Sequence, residues 1–211
     1  MAGRDWQAWH ADYDDPNSPL SQRLAVVRAR LTDALDEAPA GPLRLISMVA
    51  GQGRDVIPAL ARHPRQRDVA ARLVELDPTN AAAARKAALD AGLDGVDVVT
   101  GDAALLYNYD GYLPAHIVLI CGLFGNISDE DIRRTVAHAS ALTQRGGVVI
   151  WTRHRRDPDL TPSIRDWFTD AGFEEAEFIA PDEHAWSVGV HRLVAEPRPL
   201  EPERHWFPFV R

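Results

Sequence analysis

Several segments that follow apolar runs of the sequence carry residue types suited to binding a nucleoside. The first is Ala50-Gly51-Gln52-Gly53, in which two glycines flank a single residue. Such glycines allow a tight turn and a close approach to a ligand that a Cβ atom would block. A Gly-x-Gly pattern is also typical of an ordinary turn, so this segment needs support from the others.

Two acids follow at the ends of the next apolar runs. Glu75, followed by Leu76, lies 22 residues beyond Gly53, which suits an acceptor for both hydroxyls of a ribose. Asp102 can accept from an adenine amino group while the N–H of Ala103 faces a ring nitrogen. Both stretches also have a structural interpretation, since acids such as Asp77 cap helices and Asp102 follows a glycine in a turn.

The fourth segment, Cys121-Gly122-Leu123-Phe124-Gly125-Asn126, follows another apolar run. Its small residues can form the floor of a site, with Cys121 packed as a small apolar residue under the base. Leu123 and Phe124 are expected to sandwich a flat base. The order of all four segments favours a nucleoside site more strongly than any one of them.

Strand-like and helix-like segments alternate from Leu43 onward, which predicts an α/β fold with a doubly wound, mostly parallel sheet. The predicted strands are Leu43–Val49, Val69–Leu76, Val96–Thr100, His116–Cys121 and Gly147–Thr152. The predicted helices are Asp55–His63, Thr79–Ala91, Asp129–Leu142 and Thr161–Ala171. Phe173–Ile179 and Trp186–Val194 have no helix between them, so they are expected to pair antiparallel. The carboxyl ends of parallel strands meet at one edge, where ligands bind.

Three regions are expected along the chain: a helical arm or lid over 1–40, a nucleotide-binding domain over 41–199, and an aromatic tail over 200–211. Within the arm, Leu20 to Leu35 show one apolar stripe at helical spacing. The tail ends in Trp206, Phe207 and Phe209, which would form a costly exposed patch. We therefore expect it to pack on the domain or on a second subunit, which makes a homodimer possible.

Composition restricts the class of protein. The chain has 211 residues, of which 45% are apolar and 26% charged, and a net charge of −8. These values predict a soluble, cytoplasmic protein that does not bind a membrane, and the acidic charge disfavours nucleic acid as a partner. With one cysteine, and no His, Asp and Glu at ligand spacing, no metal site is expected.

The segments taken together resemble the class I S-adenosylmethionine (SAM)-dependent methyltransferases over residues 40–195. The stretch from Ser47 to Gly53 lies where that family carries acid-x-Gly-x-Gly-x-Gly, although Ser47 replaces the acid and Val49 the first glycine. The resemblance implies SAM as cofactor and a small molecule as methyl acceptor. It also implies contacts to SAM from Ala50, Gly51, Gly53, Glu75, Leu76, Asp102, Ala103, Cys121 and Gly122.

Candidates for the chemistry lie after the fifth strand and in the arm. His154 can act as a general base near neutral pH, and Arg153 beside it can contact the acceptor. Alternatively, the run Arg153–Arg156 binds an anionic acceptor. Tyr13 is a second catalytic candidate, and His10 and Asn126 are candidates for substrate binding. By contrast, His138 is expected at the surface, and His184 and His191 are interpreted as ordinary residues at strand ends.

Three alternatives stay open. A nicotinamide dehydrogenase would need a third glycine, where Val56 stands. A SAM-using enzyme of the same fold could transfer an aminopropyl group or cyclise SAM instead of transferring methyl. A non-catalytic nucleotide-binding protein could retain the fold without activity.

Overall fold

A computed structural model describes residues 15–200 and 205–210. Its centre is a 7-stranded sheet in the order β3-β2-β1-β4-β5-β7-β6. The strands are β1 (Leu43–Ser47), β2 (Val69–Glu75), β3 (Val96–Thr100), β4 (Ala115–Ile120), β5 (Thr143–His154), β6 (Phe173–Ile179) and β7 (Trp186–Leu193). The first five strands are parallel, and β7 pairs antiparallel with both β5 and β6. The predicted fold class is confirmed.

Helices cover both faces of this sheet. On one face lie α1 (Pro19–Glu37), α2 (Val56–Ala61) and α3 (Pro78–Asp90), packed in a layer that includes Leu31, Leu45 and Ile117. On the other face lie α4 (Asp129–Leu142) and α5 (Thr161–Asp170), with Val118 and Trp151 in their layer. Burial on both sides explains why the central strands are continuous apolar runs.

Local sequence determines where the helices begin. Ser18 caps α1 by accepting a hydrogen bond from Ser21 N, and Pro19 occupies the first turn, where its missing N–H costs nothing. Asp77 caps α3 in the same way, accepting from Thr79 N and Asn80 N at 2.7 and 3.0 Å. The α2 helix begins at Val56, so Pro58 falls within the first turn, as expected for a proline in a helix.

The fifth strand differs from its prediction. It was predicted to span Gly147–Thr152, but it begins at Thr143 and ends at His154. Its register to β4 shifts between Ala115 and Ile117, where the segment Gln144–Gly147 forms a bulge. The strand was predicted to begin at Gly147, whereas Gly146 and Gly147 both lie inside it at the bulge. Arg153 and His154 are therefore strand residues, paired with Ser187 and Trp186 of β7.

His191 lies within β7 and is fully buried, so its interpretation as an ordinary residue at a strand end is wrong. Its Nδ1 accepts a hydrogen bond from the indole of Trp151 at 3.1 Å, and its ring stacks on Phe168 at 4.5 Å. Its Nε2 lies 3.6 Å from a carboxylate oxygen of Glu175. Burial lowers the pKa of His191 from 6.5 to about 4, although Glu175 acts to raise it.

No helix within residues 15–200 and 205–210 has the length and apolar character needed to cross a bilayer.

The stability of the fold is expected to fall as the pH is lowered from about 6.5 to about 4. In this interval unfolded chains take up a proton on His191, whose folded-state pKa is depressed to about 4, while folded chains do not. Linkage then gives a loss of up to about 3 kcal/mol in the free energy of unfolding. Urea unfolding at pH 7, 6 and 5 measures it.

The matched control for this prediction is His191→Asn, which keeps a hydrogen-bond acceptor for the Trp151 indole. Its unfolding free energy should vary less with pH over the same range. Glu175 is a separate contribution, because the hydrogen bond from Arg165 lowers the pKa of that carboxyl from its ordinary value. Equal pH slopes for the two proteins, together with a His191 ring that titrates by NMR above pH 6, would contradict the assignment.

Candidate active site

The glycine segment after β1 is held against β2 by backbone hydrogen bonds. Ala50 N donates to Val74 O at 2.9 Å, and Gly53 N donates to Ala50 O at 2.9 Å. Helix α1 contacts the same loop, since Arg28 Nε donates to Arg54 O at 2.8 Å. The loop is therefore fixed on two sides and presents its remaining backbone toward the carboxyl edge of the sheet.

Both glycines of this loop have a backbone conformation that favours glycine. Gly51 has a φ of +57° and Gly53 a φ of +68°. A Cβ at Gly51 would meet no atom within 4 Å, whereas one at Gly53 would lie 2.5 Å from Ile57 Cδ1 and 3.1 Å from Leu73 Cδ2. Gly53 thus serves the packing of α2 on the sheet, and Gly51 leaves space at the surface where a ligand can approach the backbone.

Val49 stands in the left-handed region as well, with a φ of +50°. A β-branched residue is an outlier in that region, because its Cβ crowds the backbone. The position is the one where the methyltransferase pattern carries its first glycine. The loop therefore keeps the glycine-type conformation there without the glycine.

Glu75 joins the glycine loop to the turn that follows β2. Its Oε2 accepts a hydrogen bond from Gly51 N at 2.7 Å, and its Oε1 accepts one from Asp77 N at 2.9 Å. The side chain is 9% exposed, and each carboxylate oxygen has a second lone pair that can accept from a ligand. Leu76 beside it is 54% exposed, which leaves an apolar surface at the same strand end.

The turn after β3 is held in shape by residues that the sequence interpretation missed. Asp102 Oδ1 accepts from Ala104 N at 2.8 Å. The Asn108 side chain donates to Asp102 O at 2.7 Å, and the Tyr109 hydroxyl donates to Ala103 O at 2.8 Å. Asn108 and Tyr109 lie in a short 3₁₀ helix whose pattern predicts no element, so no signal in the sequence marked them.

The turn after β4 corrects one expectation. Leu123 and Phe124 are fully buried in the layer of α4 and α5, so neither side chain is exposed to sandwich a base. Gly122 is exposed, and its N–H donates to the Thr152 hydroxyl at 2.9 Å, which joins the ends of β4 and β5. Leu76, by contrast, is exposed at the end of β2.

Cys121 lies in the other layer, packed with the cluster beneath α1 and α2 and not beside Ala103. Burial raises the pKa of its thiol, and the nearby Asp55 carboxylate adds to that rise, so the thiol stays neutral. Asp55 caps α2 through Val56 N at 2.8 Å and is itself 8% exposed. Burial raises its pKa, while Arg28 and Arg23 act to lower it. Sequence reasoning did not single out Asp55.

Ser47 lies at the end of β1 in the same layer, where the methyltransferase pattern has an acid. It is 1% exposed, and within the part of the chain that the structure describes its hydroxyl has no hydrogen-bond partner. A buried polar atom of this kind needs a partner, because desolvation without one costs roughly 1–3 kcal/mol. This end of the strand can therefore accept a polar ligand group.

The acceptor candidates lie on the far side of β4. The His154 ring lies against Gly125, where a Cβ would come within 3.8 Å of His154 Cδ2. Asn126 donates from its side chain to Gly122 O at 2.6 Å, and Arg153 donates to Phe124 O. The structure thus brings His154, Arg153 and Asn126 to one loop. Tyr13 and His10 fall outside the described residues.

The run Arg153–Arg156 does not form a single cationic surface. Arg153 is bound to the carbonyl of Phe124, and Arg155 donates to the carbonyls of Pro181 and His184. The Arg153 bond ties the end of β5 to the turn after β4, and the Arg155 bonds tie the chain after β5 to the loop before β7, so the two arginines have structural partners. The hypothesis that the run binds an anionic acceptor is weakened.

Comparison with known proteins agrees with this geometry. Residues 20–167 match the model of a family described as "Putative methyltransferase", so the chain belongs to this methyltransferase family. No curated protein sequence matches the chain.

Solved structures share the fold at low identity. An O-methyltransferase family protein from Burkholderia thailandensis is similar with a TM-score of 0.66 and 20% sequence identity. The alignment covers 90% of this chain and 60% of the Burkholderia protein. This chain thus spans about three fifths of that protein. Magnesium protoporphyrin IX methyltransferase from Synechocystis PCC 6803, solved with bound SAM, has a TM-score of 0.68 and 15% sequence identity. The alignment covers 90% of this chain and 91% of that protein. An rRNA methylase from Streptococcus thermophilus has a TM-score of 0.61 and 10% sequence identity, and the alignment covers 79% of this chain and 95% of that protein.

The predicted family, fold and enzyme class are confirmed, with SAM as the cofactor of that class. The dehydrogenase alternative is wrong, because the chain belongs to a methyltransferase family and its sheet has an antiparallel β7 inserted between β5 and β6.

The two glycines should differ when replaced by alanine. Gly51→Ala adds only the strain of a left-handed residue, about 1–2 kcal/mol, whereas Gly53→Ala adds a clash with Ile57 and Leu73 worth roughly a further 1–3 kcal/mol. Urea unfolding of both variants measures the difference. Equal losses of stability would show that the packing around Gly53 relaxes freely.

Proposed function

We propose that this chain transfers a methyl group from SAM to a small molecule. The observation that carries the proposal is the Glu75 carboxylate, held at 2.7 Å by the glycine-loop N–H of Gly51 and at 2.9 Å by Asp77 N. An acid so fixed at the end of β2 suits the two hydroxyls of a ribose.

The residues around Glu75 fit the rest of the cofactor. We propose that Asp102 and the N–H of Ala103 bind the adenine edge, and that Leu76, which is exposed at the end of β2, contacts the adenine ring. The buried hydroxyl of Ser47 and the Asp55 carboxylate are the polar groups that we propose face the amino-acid end. Ala50, Gly51, Gly53 and Gly122 contribute backbone, and Cys121 contributes apolar packing.

SAM supplies an electrophilic methyl group on a sulfonium. The chain's own task is to position the acceptor in line with that group and, where the acceptor must lose a proton, to accept the proton. His154 is placed for the second role beside the Gly125–Asn126 turn. Tyr13 and His10 would complete the acceptor pocket from the arm, and Arg153 would act by fixing the Phe124 carbonyl.

A small-molecule acceptor is favoured over nucleic acid by charge. The chain carries −8 overall, and the arginines nearest His154 are engaged with backbone carbonyls. Nucleic-acid substrates require a basic surface that neutralises phosphates. We also propose a cytoplasmic enzyme with a helical arm over 1–40 and a tail over 200–211.

Replacement of Glu75 should weaken cofactor binding. Glu75→Ala removes a charged acceptor shared by two hydroxyls and loosens Gly51, so we expect S-adenosylhomocysteine to bind roughly 30- to 150-fold more weakly, about 2–3 kcal/mol. Calorimetry with S-adenosylhomocysteine measures it. Asp77→Ala is the matched control, because Asp77 caps α3 with its side chain and should change stability more than affinity. The reverse result would move the ribose site to Asp77.

His154→Ala should separate binding from chemistry. If His154 is the base, the affinity for S-adenosylhomocysteine stays within about twofold, since the residue lies away from Glu75 and Asp102. The maximal rate with a hydroxyl or amine acceptor should fall by roughly two to four orders of magnitude. The measurement is release of S-adenosylhomocysteine with a panel of small phenols and amines. His154→Gln is the control for packing against Gly125, and an unchanged rate in both variants would exclude the base.

A further inference from the structure

The described end of the chain, residues 205–210, lies across the candidate site, and we call it the C-terminal strap. His205 Nε2 lies 2.8 Å from Asp102 Oδ2, at the turn assigned to adenine. At the other end of the strap, Val210 N donates to Asn126 O at 2.8 Å, at the turn assigned to the acceptor. The strap therefore joins the two halves of the site, and it lies beyond the matched family region, which ends at residue 167.

The middle of the strap is anchored in the core. Trp206 and Phe207 are each 1% exposed, and Trp206 stacks between Tyr109 and His138 with ring centroids 6.2 and 5.1 Å away. Its backbone N–H donates to Ala104 O at 3.3 Å, and its carbonyl accepts from Arg134 at 3.2 Å. These contacts of Trp206 hold the adjacent residue, His205, beside Asp102.

We propose that His205 is a positioning residue for adenine recognition, acting through Asp102. Asp102 Oδ1 is engaged by Ala104 N at 2.8 Å, so its Oδ2 is the oxygen that His205 orients. An ionised carboxylate oxygen accepts two hydrogen bonds, so Oδ2 retains one position for the exocyclic amino group of adenine. This inference rests on the proposed SAM-dependent function.

An Asp102 carboxylate held in one orientation should favour a base with an amino group over a base with a carbonyl at the same position. A base with a carbonyl at that position would place a second acceptor against Asp102, which repels it. A carboxylate without His205 could rotate and accept such a base with less penalty. The contribution of His205 to ligand affinity should therefore depend on whether the base carries an amino group or a carbonyl at this position.

The test compares two ligands by calorimetry: S-adenosylhomocysteine, and S-inosylhomocysteine, in which a carbonyl replaces the amino group. With His205→Ala we expect S-adenosylhomocysteine to bind roughly five- to tenfold more weakly, because a hydrogen bond that orients its acceptor is lost. S-inosylhomocysteine, weaker already with the wild type, should change less than twofold. His205→Gln, which keeps an N–H donor, should restore part of the loss.

The matched control is Phe209→Ala, which alters the strap without contacting Asp102. It should leave both affinities unchanged. Equal losses for both ligands in His205→Ala, or no loss for either, would overturn the positioning role while leaving the proposed function intact. A wild-type protein that binds neither ligand would instead overturn the proposed function, and this inference with it.

Discussion

The site depends on one carboxylate held between two backbone turns. Glu75 accepts from Gly51 N and Asp77 N, so the glycine loop after β1 and the start of α3 share a single anchor. The parallel pairing of β1 with β2 brings these two strand ends together, with Ser47 opposite Leu73. A buried carboxylate requires such donors, because an unpaired buried charge is very costly. The same donors fix the orientation of the Glu75 carboxylate. Its side-chain conformational entropy is therefore lost on folding, and a ligand that binds does not have to order it.

The departures from the family pattern lie next to this anchor and are accommodated differently. Val49 keeps the backbone conformation of the missing glycine at φ +50°, which implies that the surrounding loop imposes it. Ser47 cannot replace the missing acid in charge, and it leaves a buried hydroxyl without a described partner. The negative charge that we propose in place of the missing acid is Asp55, at the cap of α2. The loop thus keeps the backbone conformation expected of the methyltransferase glycine motif, although two of the motif's residues are replaced.

The fold, and the meeting of the proposed cofactor residues at one edge of the sheet, could be predicted because their signals are local. Strand–helix alternation, glycines after β1, and acids after β2 and β3 are all patterns within short windows, and parallel pairing then brings those strand ends to one edge. Contacts between distant segments had no such signal. His191 looks like an ordinary strand residue until Trp151 is placed 3.1 Å from it, and His205 lies 103 positions from Asp102. The burial of Leu123 and Phe124 was missed for the same reason, since it depends on where α4 and α5 pack.

The two halves of the site therefore differ in how they are built. The proposed cofactor half comes mainly from the ends of β1, β2 and β3, which are fixed by the sheet's own pairing, with Gly122 and Cys121 added from the end of β4. The acceptor half combines the end of β5, the turn after β4 and the strap through Val210, which no single element positions. Changes in the strap can alter the proposed acceptor pocket without moving Glu75. Acceptor specificity can thus vary among proteins of this fold while the cofactor site is preserved, which agrees with the range of acceptors named for its structural neighbours.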